Sequence, residues 1–372
     1  MKILIATGGT GGHINPAIAV ANKIKEDNKD AQILFVGTAD KMEANLVPNA
    51  GFDFKTIDIS GFQRKMSLEN IKKNIKTIAK MFKSSKQAKE IIKEFNPDVV
   101  VGFGGYVSGP VLREAVKLKI PTAIHEQNAF PGVTNKALAK KVDKVMLTTK
   151  QAQKHIKSKN PCIVTGLPVR QELILANKEF ARVELGLDDR PMILSMGGSL
   201  GARAINEAVC ELIAKKATDN DCVFIHAMGQ FGLWVPQKLE ELGLDFEEQK
   251  NVIIREYIDD MQRCMPAADL IICRAGASSL SEIQALGKAS ILIPSPNVAE
   301  NHQYHNAMAL VNNNAAIIIE EKDLTGDKLI SEVNRLINDK NKIEEIEKNA
   351  KAMAVLDATN KISKTIIDLI KK

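Results

Sequence analysis

The sequence predicts an α/β protein made of two doubly wound, nucleotide-type domains, and three observations carry that prediction. Two glycine-rich loops, Gly8-Gly9-Thr10-Gly11-Gly12-His13 and Gly197-Gly198-Ser199-Leu200-Gly201-Ala202, each follow a short apolar run, Ile3-Leu4-Ile5-Ala6 and Met192-Ile193-Leu194-Ser195. The loops lie half a chain apart. Strand and helix signals alternate through both halves, the pattern of parallel sheets covered by helices. The order strand, flexible turn, helix presents unpaired backbone N–H groups at a helix N-terminus, a ready site for phosphate or another anion. Two such sites imply two domains facing one cleft.

In the first half the expected strands are Ile3–Ala6, Ile33–Val36, Val99–Phe103, Thr122–His125 and Val145–Leu147. Most are short, continuous apolar runs, as strands buried on both faces must be. The first helix is read from Pro16-Ala17-Ile18-Ala19-Val20-Ala21, with Pro16 suited to its first turn. The second half repeats this grammar, with strands expected at Met192–Ser195, Cys222–His226, Val252–Ile254, Leu270–Cys273 and Ser290–Ile293, and helices after Ala202 and Gly276. Thr165-Gly166-Leu167-Pro168-Val169-Arg170 carries Gly and Pro between the halves and is the expected hinge. The expected domains are therefore 1–164 and 165–352. Ile362, Ile366, Ile367 and Ile370 stand at helical spacing, so a helix within about 353–372 is expected to pack back on the first domain.

At 372 residues, two domains fit better than one. Hydrophobic content of 45% and charged content of 26% are ordinary for a soluble globular protein, so each half can bury a core. The net charge of +6 is mildly basic, which makes the location of charge matter more than its sum. The cysteines, Cys162, Cys210, Cys222, Cys264 and Cys273, form no Cys-x-x-Cys pair, and several sit in apolar runs. They read as buried, reduced thiols in a reducing compartment. The N-terminal apolar run enters a glycine loop and no cleavage site, so no signal peptide is expected. The segment Ile3 to Asn22 lacks formal charge, but its glycines, His13, Asn15 and Pro16 make it a poor membrane span. The expectation is a cytoplasmic protein without a transmembrane helix.

A glycine loop alone leaves the nucleotide chemistry open. A nucleotide triphosphatase would close the loop with Gly-Lys-Ser/Thr, and neither loop has that lysine. A dinucleotide oxidoreductase would need Gly-x-Gly-x-x-Gly and an acid ending the second strand. Asp40 in Gly37-Thr38-Ala39-Asp40 keeps that reading alive, but the glycine spacing is wrong. Some glycines serve only close helix–sheet packing, which does not account for His13 at the end of the first loop.

Further motifs complete an ordered set: Gly102-Phe103-Gly104-Gly105-Tyr106-Val107-Ser108-Gly109-Pro110, His125-Glu126-Gln127-Asn128, Arg274-Ala275-Gly276-Ala277-Ser278-Ser279-Leu280-Ser281-Glu282 and Asn301-His302-Gln303. With the two loops, in this order and spacing, they closely resemble the MurG family of peptidoglycan glycosyltransferases, of family 28 type, over essentially the whole chain. The resemblance implies a GT-B fold: two Rossmann-like domains with a deep cleft between them. It implies transfer of N-acetylglucosamine from UDP-N-acetylglucosamine to the C4 hydroxyl of the muramoyl sugar of lipid I, the undecaprenyl-diphosphate-linked acceptor, giving lipid II. The donor would bind mainly the C-terminal domain and the lipid acceptor would approach the N-terminal one.

By motif, the resemblance implies that Thr10, Gly11 and Gly12 line the cleft and that Asn128 contacts the donor sugar. Arg170 and Ser199 would face the diphosphate, and Ile258 would contact uracil, partly through its backbone. Ala277 and Ser278 would lie beside the nucleotide, Glu282 would hold the ribose hydroxyls, and Gln303 would touch the sugar hydroxyls. Some relatives have Gln where this chain has His302, so no role carries over to His302. An anionic membrane surface, cell-wall synthesis and division proteins, a peripheral place on the cytoplasmic face of the cell membrane, and no cofactor are also implied. These roles suit the residue types. A carboxylate accepts well from a ribose diol, and amides both donate to and accept from sugars. Without the resemblance, Glu282 reads as a solvated helix-face acid and Asn128 as a turn residue before Pro131.

Moving a hexosamine from UDP sets three demands: the acceptor hydroxyl loses a proton, the anomeric carbon tolerates positive charge, and the leaving diphosphate is stabilised. His13 is the candidate base, since a neutral imidazole accepts a proton near pH 7; the competing reading has it contacting phosphate or supporting the loop. Glu126 is a second candidate, or an acid that orients its own loop. Backbone donors at a helix N-terminus contribute about 0.3–1 kcal/mol each to anion stabilisation, and Arg170 adds a full charge. A metal-dependent GT-A transferase would need an Asp-x-Asp. The triplet Asp219-Asn220-Asp221 sits between a helix and a strand and reads as a turn. His302 and His305 are spaced i, i+3 with no obvious third ligand, so no metal site is expected. Inversion at the anomeric carbon is implied by the family.

Positive charge concentrates from Arg64 to Lys93, at Lys65, Lys72, Lys73, Lys76, Lys80, Lys83, Lys86 and Lys89, against Glu69 and Glu90. Ile71, Ile75, Ile78, Met81 and Phe82 are interleaved. Such a basic amphipathic segment can lie on an anionic bilayer, each nearby cation adding about 1 kcal/mol; the alternative is a solvated helix whose apolar stripe packs on the sheet. Few aromatics accompany the lysines and no recognition motif appears, which argues against nucleic acid. Two rivals stay open: a UDP-N-acetylglucosamine 2-epimerase, which shares fold and donor, and a non-catalytic nucleotide-sugar sensor or scaffold.

Overall fold

The structure is a computed structural model that describes residues 1–59 and 68–371, except for the side chains of 68–81. It divides into two compact units, one of Met1–Pro168 with Asp357–Lys372 and one of Val169–Leu356.

In the first unit the strands are β1 (Lys2–Ala6), β2 (Gln32–Gly37), β3 (Asp53–Thr56), β4 (Val99–Gly102), β5 (Thr122–Glu126), β6 (Lys144–Leu147) and β7 (Ile163–Val164). All neighbours pair parallel, in the order β3-β2-β1-β4-β5-β6-β7. The helices of this half are α1 (Gly11–Asp27), α2 (Glu43–Asn49), α3 (Leu68–Phe95), α4 (Ser108–Lys117) and α5 (Val133–Ala139). Alternation along the central strand sorts its side chains between two cores. Ile3 and Ile5 join Ile14, Val20 and Ile24 of α1, while Leu4 and Ala6 join Ile92 of α3 and Val111 and Leu112 of α4. Ile362, Ile366 and Leu369 complete the α1-side core, so the C-terminal helix belongs to the first unit.

The second unit holds α6 (Gln171–Ile174), α7 (Lys178–Glu184), β8 (Met192–Met196), α8 (Arg203–Lys216), β9 (Val223–Ala227), α9 (Val235–Glu241), β10 (Val252–Arg255) and α10 (Met261–Ala267). It continues with β11 (Leu270–Cys273), α11 (Ala277–Leu286), β12 (Ala289–Leu292), α12 (His302–Val311), β13 (Ile317–Ile318), α13 (Gly326–Ile337) and α14 (Lys340–Ala352). The C-terminal helix is α15 (Ala358–Ile370). The sheet order is β10-β9-β8-β11-β12-β13, so both units run outward from a first strand and then reverse. In each, the reversal falls between the strand that feeds a glycine loop and its neighbour: β1 with β4, and β8 with β11. Open α/β sheets bind ligands outside the carboxyl ends of the strands at this point.

Ten strands lie where their apolar runs predict them, within a residue at either end. Three others, β3, β7 and β13, are sheet edges that the sequence does not announce. One helix start differs from expectation. Thr10 is extended at φ −138° and its carbonyl accepts from the N–H of His13 (3.0 Å) and Ile14 (3.2 Å), so α1 begins at Gly11. Pro16 is therefore a buried residue inside the helix and not part of its first turn. His13 lies in the first helical turn and not in the loop.

Cys210, Cys222, Cys264 and Cys273 are buried free thiols. Burial pushes each up to about 12, which makes them unreactive packing groups. Among the described residues no helix is long and apolar enough to cross a membrane. Of the basic segment, Arg64 and Lys65 lie outside the described residues, as do the side chains of Lys72, Lys73, Lys76, Lys80, Ile71, Ile75, Ile78 and Met81. Its described end is exposed: Phe82 is 77% accessible. Lys83 pairs with Asp58 across the surface.

Candidate functional site

In the first unit the loops after β1 and β4 interlock. A Cβ on Gly105 would stand 2.4 Å from the carbonyl oxygen of Gly8, and one on Gly104 would stand 2.6 Å from the His13 ring. Both glycines also hold positive φ, +102° and +81° for Gly104 and Gly105, which side chains rarely adopt. The His13 ring thus lies against Gly104, and its Nδ1 is 3.2 Å from the Gly8 carbonyl oxygen. A carbonyl only accepts, so this bond requires the proton on Nδ1 and leaves the neutral ring's lone pair on Nε2.

Glu126 ends β5 with both carboxylate oxygens engaged. Oε1 accepts from the Asn128 backbone N–H (2.9 Å) and Nδ2 (3.3 Å). Oε2 accepts from the Gly132 N–H (3.1 Å) and Asn135 Nδ2 (2.8 Å). A carboxylate so occupied shapes the 127–132 loop and fixes the half-buried Asn128, which favours the orienting role over the basic one. Beside it, His125 donates from Nε2 to the Gly166 carbonyl (2.9 Å) and accepts at Nδ1 from Gln127 (3.2 Å). Burial lowers the His125 pKa to about 4, so the ring is a neutral tie between β5 and the 165–168 segment.

In the second unit the loops after β8 and β9 interlock in the same manner. A Cβ on Gly201 (φ +84°) would lie 2.3 Å from the Met228 carbonyl oxygen, and one on Gly229 (φ +75°) 2.1 Å from the Gly201 nitrogen. The turn delivers the N-terminus of α8 into a cavity of about 490 Å³. The lining includes Ser199, Arg203, Arg274, Asn297, Gln303 and Glu321. Arg274 is fixed by donation to the Ile293 and Pro294 carbonyls (3.1 and 3.2 Å) and by an ion pair with Glu321. Gln303 accepts from the Ser295 N–H at 2.9 Å, which leaves its NH₂ to donate. The α8 N-terminus and Arg203 give this cavity a positive character, with Arg274 paired to Glu321 and Arg203 to Glu207 (2.8 Å).

Ser199 and Gln303 thus share a cavity, and Arg170 and Glu282 form an ion pair. Arg170 Nη2 and Nε lie 3.1 and 3.2 Å from Glu282 Oε1. Burial pushes the Glu282 carboxyl up from its ordinary value, and the neighbouring Arg170 charge opposes that shift. Ala277 and Ser278 open α11 one turn before Glu282, and Ser278 and Glu282 share a face at i, i+4. The Ile258 side chain is buried at 3% accessibility, so only its main chain could reach a ligand. Asp221 pairs with Lys216 in the turn after α8. His302 hydrogen-bonds through Nδ1 to the Ala299 carbonyl (2.8 Å). Among the described residues no three His, Cys, Asp or Glu side chains converge as a metal-binding group.

The glycines separate into two kinds. At Gly8, Gly37, Gly104, Gly105, Gly201 and Gly229 an added Cβ collides with the protein. At Gly11 and Gly12 the nearest atoms stand at 3.5 and 3.7 Å, and at Gly276 nothing lies within 4 Å. The last has φ −71° and ψ 140°, which any residue adopts. Neither packing nor backbone demands glycine at these three positions, and the same holds at Gly132. The sequence marks Arg274 only as the head of a motif, with no role of its own, and does not single out Glu43 or Arg203. Arg203 had a visible signal, a cation directly after the second glycine loop, whereas the buried Glu43 had none.

Comparison with known proteins completes the picture. Residues 3–147 match the glycosyltransferase family 28 N-terminal domain and residues 192–362 the family 28 C-terminal domain. The chain is 44% identical, over all of its length and 99% of the relative's, to the UDP-N-acetylglucosamine–N-acetylmuramyl-(pentapeptide) pyrophosphoryl-undecaprenol N-acetylglucosamine transferase of Acetivibrio thermocellus. It superposes on the crystal structure of Acinetobacter baumannii MurG with a TM-score of 0.79 at 29% identity, covering 99% of each chain. The crystal structure of UDP-GlcNAc 2-epimerase from Neisseria meningitidis shares the fold at TM-score 0.66 and 14% identity, covering 99% of this chain and 100% of the other. The two parallel sheets are those of the GT-B class, and this chain belongs to glycosyltransferase family 28.

Proposed function

We propose that this protein transfers N-acetylglucosamine from UDP-N-acetylglucosamine to the C4 hydroxyl of the muramoyl sugar of lipid I, with inversion, to give lipid II for peptidoglycan. The full-length identity to a transferase of that name carries the reading. The 2-epimerase likeness is one of fold alone.

The geometry supplies the chemistry the reaction needs. His13 Nε2 takes the proton from the acceptor hydroxyl as its oxygen bonds to the anomeric carbon. The bond from that carbon to the diphosphate breaks, and its electron pair leaves with UDP. Ser199, the α8 N-terminus, Arg203 and Arg274 stabilise the departing charge. Glu282 holds the ribose once the donor has displaced Arg170, whose guanidinium turns to the phosphates. Ser278 and Ala277 flank the nucleotide, the Ile258 main chain meets the base, and Gln303 and Asn128 hold the sugar. Thr10, Gly11 and Gly12 border the place where the acceptor enters.

The protein works at the cytoplasmic face of the membrane, on an anionic lipid surface. Exposed Phe82 and Lys86, the latter's side chain 80% accessible, support this at the described end of α3. One experiment tests both parts: UDP-[¹⁴C]N-acetylglucosamine with lipid I in anionic vesicles. Label should move into lipid; label recovered as an isomerised nucleotide sugar would favour an epimerase. Phe82→Ser with Lys86→Glu should lower turnover on vesicles and spare a soluble short-chain acceptor. Equal turnover on vesicles would sink the membrane part.

A further inference from the structure

We propose that Glu43 is a positioning residue that acts on His13 through the Gly8–Gly9 peptide bond. Glu43 sits in the first turn of α2 and is wholly buried. Its Oε2 accepts from the Gly9 N–H at 3.0 Å. Its Oε1 accepts from the Thr38 N–H at 3.1 Å and the Thr38 hydroxyl at 2.8 Å. The peptide group that gives its N–H to Glu43 gives its carbonyl to His13. The Gly8 oxygen lies 3.2 Å from His13 Nδ1. Carboxylate, planar peptide and imidazole therefore form one line of hydrogen bonds.

The physics of that line is directional. A carboxylate on an amide N–H drives electron density toward the carbonyl oxygen at the other end, which makes it a better acceptor. The better acceptor holds the proton on Nδ1. In a serine-protease triad a carboxylate does this to a histidine directly; here one peptide unit stands between them. The lone pair is then kept on Nε2, and the ring is held against Gly104.

The surroundings are shaped for this carboxylate. A Cβ on Gly8 would lie 2.4 Å from Glu43 Oε1, and one on Gly37 would lie 2.6 Å from Glu43 Cγ. Two glycines on neighbouring loops thus make the slot that admits it. Also bearing on His13 in this unit are His125, which burial holds neutral, and the Thr10 hydroxyl at 3.4 Å from Nδ1. A Thr10 hydroxyl donating to Nδ1 would place the proton on Nε2 instead, so the two arrangements differ in tautomer.

The catalytic consequence rests on His13 being the base, and the experiment separates the two claims. The whole protein, labelled with ¹⁵N-histidine and assigned with His13→Ala, reports the tautomer by NMR. The wild type should show neutral His13 protonated on Nδ1. Protonation on Nε2 would sink the relay, whatever the variants do. Glu43→Gln leaves one amide hydrogen facing a backbone N–H. It should lose the Nδ1–H signature and lower kcat roughly 10–100-fold, with KM for UDP-N-acetylglucosamine changed less than about threefold. Thr38→Val removes a different donor to the same carboxylate. It should keep both the signature and a kcat within about threefold of wild type. Unchanged tautomer and kcat in Glu43→Gln would overturn the proposal. Near-normal turnover by His13→Ala would overturn its catalytic half.

Discussion

At the level of single side chains, the pairing of Arg170 with Glu282 joins two residues proposed to bind the donor. The carboxylate proposed for the ribose is paired with the guanidinium proposed for the phosphates. The two side chains come from α11 and from the residue just before α6, far apart in sequence, so no motif could have shown their contact. In the proposed roles, binding exchanges that ion pair for two sets of ligand contacts and needs Glu282 ionised to accept from the diol. Burial raises that carboxyl's pKa and Arg170 opposes the rise. Donor affinity should therefore fall as pH drops through the raised value. In Arg170→Ala the opposing charge is gone, so the acid limb should move to higher pH. At neutral pH the lost contact to phosphate should weaken binding about 10–100-fold, the worth of one charge-assisted hydrogen bond. Calorimetric titration with UDP-N-acetylglucosamine across pH checks this; an acid limb that stays in place contradicts it.

At the level of elements, legibility followed burial. Central strands such as Ile3–Ala6 and Leu270–Cys273 are covered on both faces and read as continuous apolar runs. The edge strand β3, Asp-Phe-Lys-Thr, is half solvated, and β7 and β13 are two residues long, so their pairing comes from the sheet and not from their own pattern. The start of α1 was hidden because Pro16 is a strong local signal, while the cap is set by the conformation of Thr10. Both glycine loops stood out in the sequence, yet not the division of labour among their glycines. That division yields a prediction for the α11 entry. Gly276→Ala fits the backbone and meets no protein atom within 4 Å. Because Gly276 is the N-cap of α11, where Gly serves better than Ala, the substitution should lower stability by no more than about 1 kcal/mol while weakening donor binding. Unaltered donor affinity beside an unaltered melt would remove Gly276 from the site.

Across the whole molecule the same construction appears twice. Each unit runs its strands outward, reverses beside the strand that feeds a glycine loop, and presents loops and helix N-termini at the carboxyl ends. This much follows from alternating apolar runs and turns. The buried polar anchors do not: Glu43 stands in no motif, and only folding sets it against the Gly8–Gly9 peptide. The fold could host several chemistries. The assignment to sugar transfer with inversion rests on family membership, with His13 proposed as the base and the second-unit cavity proposed to take the diphosphate. The most direct test is NMR of the lipid product made from donor ¹³C-labelled at the anomeric carbon. The label is expected in a β-configured linkage to the muramoyl C4 oxygen. An α-configured linkage, or label found in a nucleotide-bound epimer with the lipid unmodified, would contradict it.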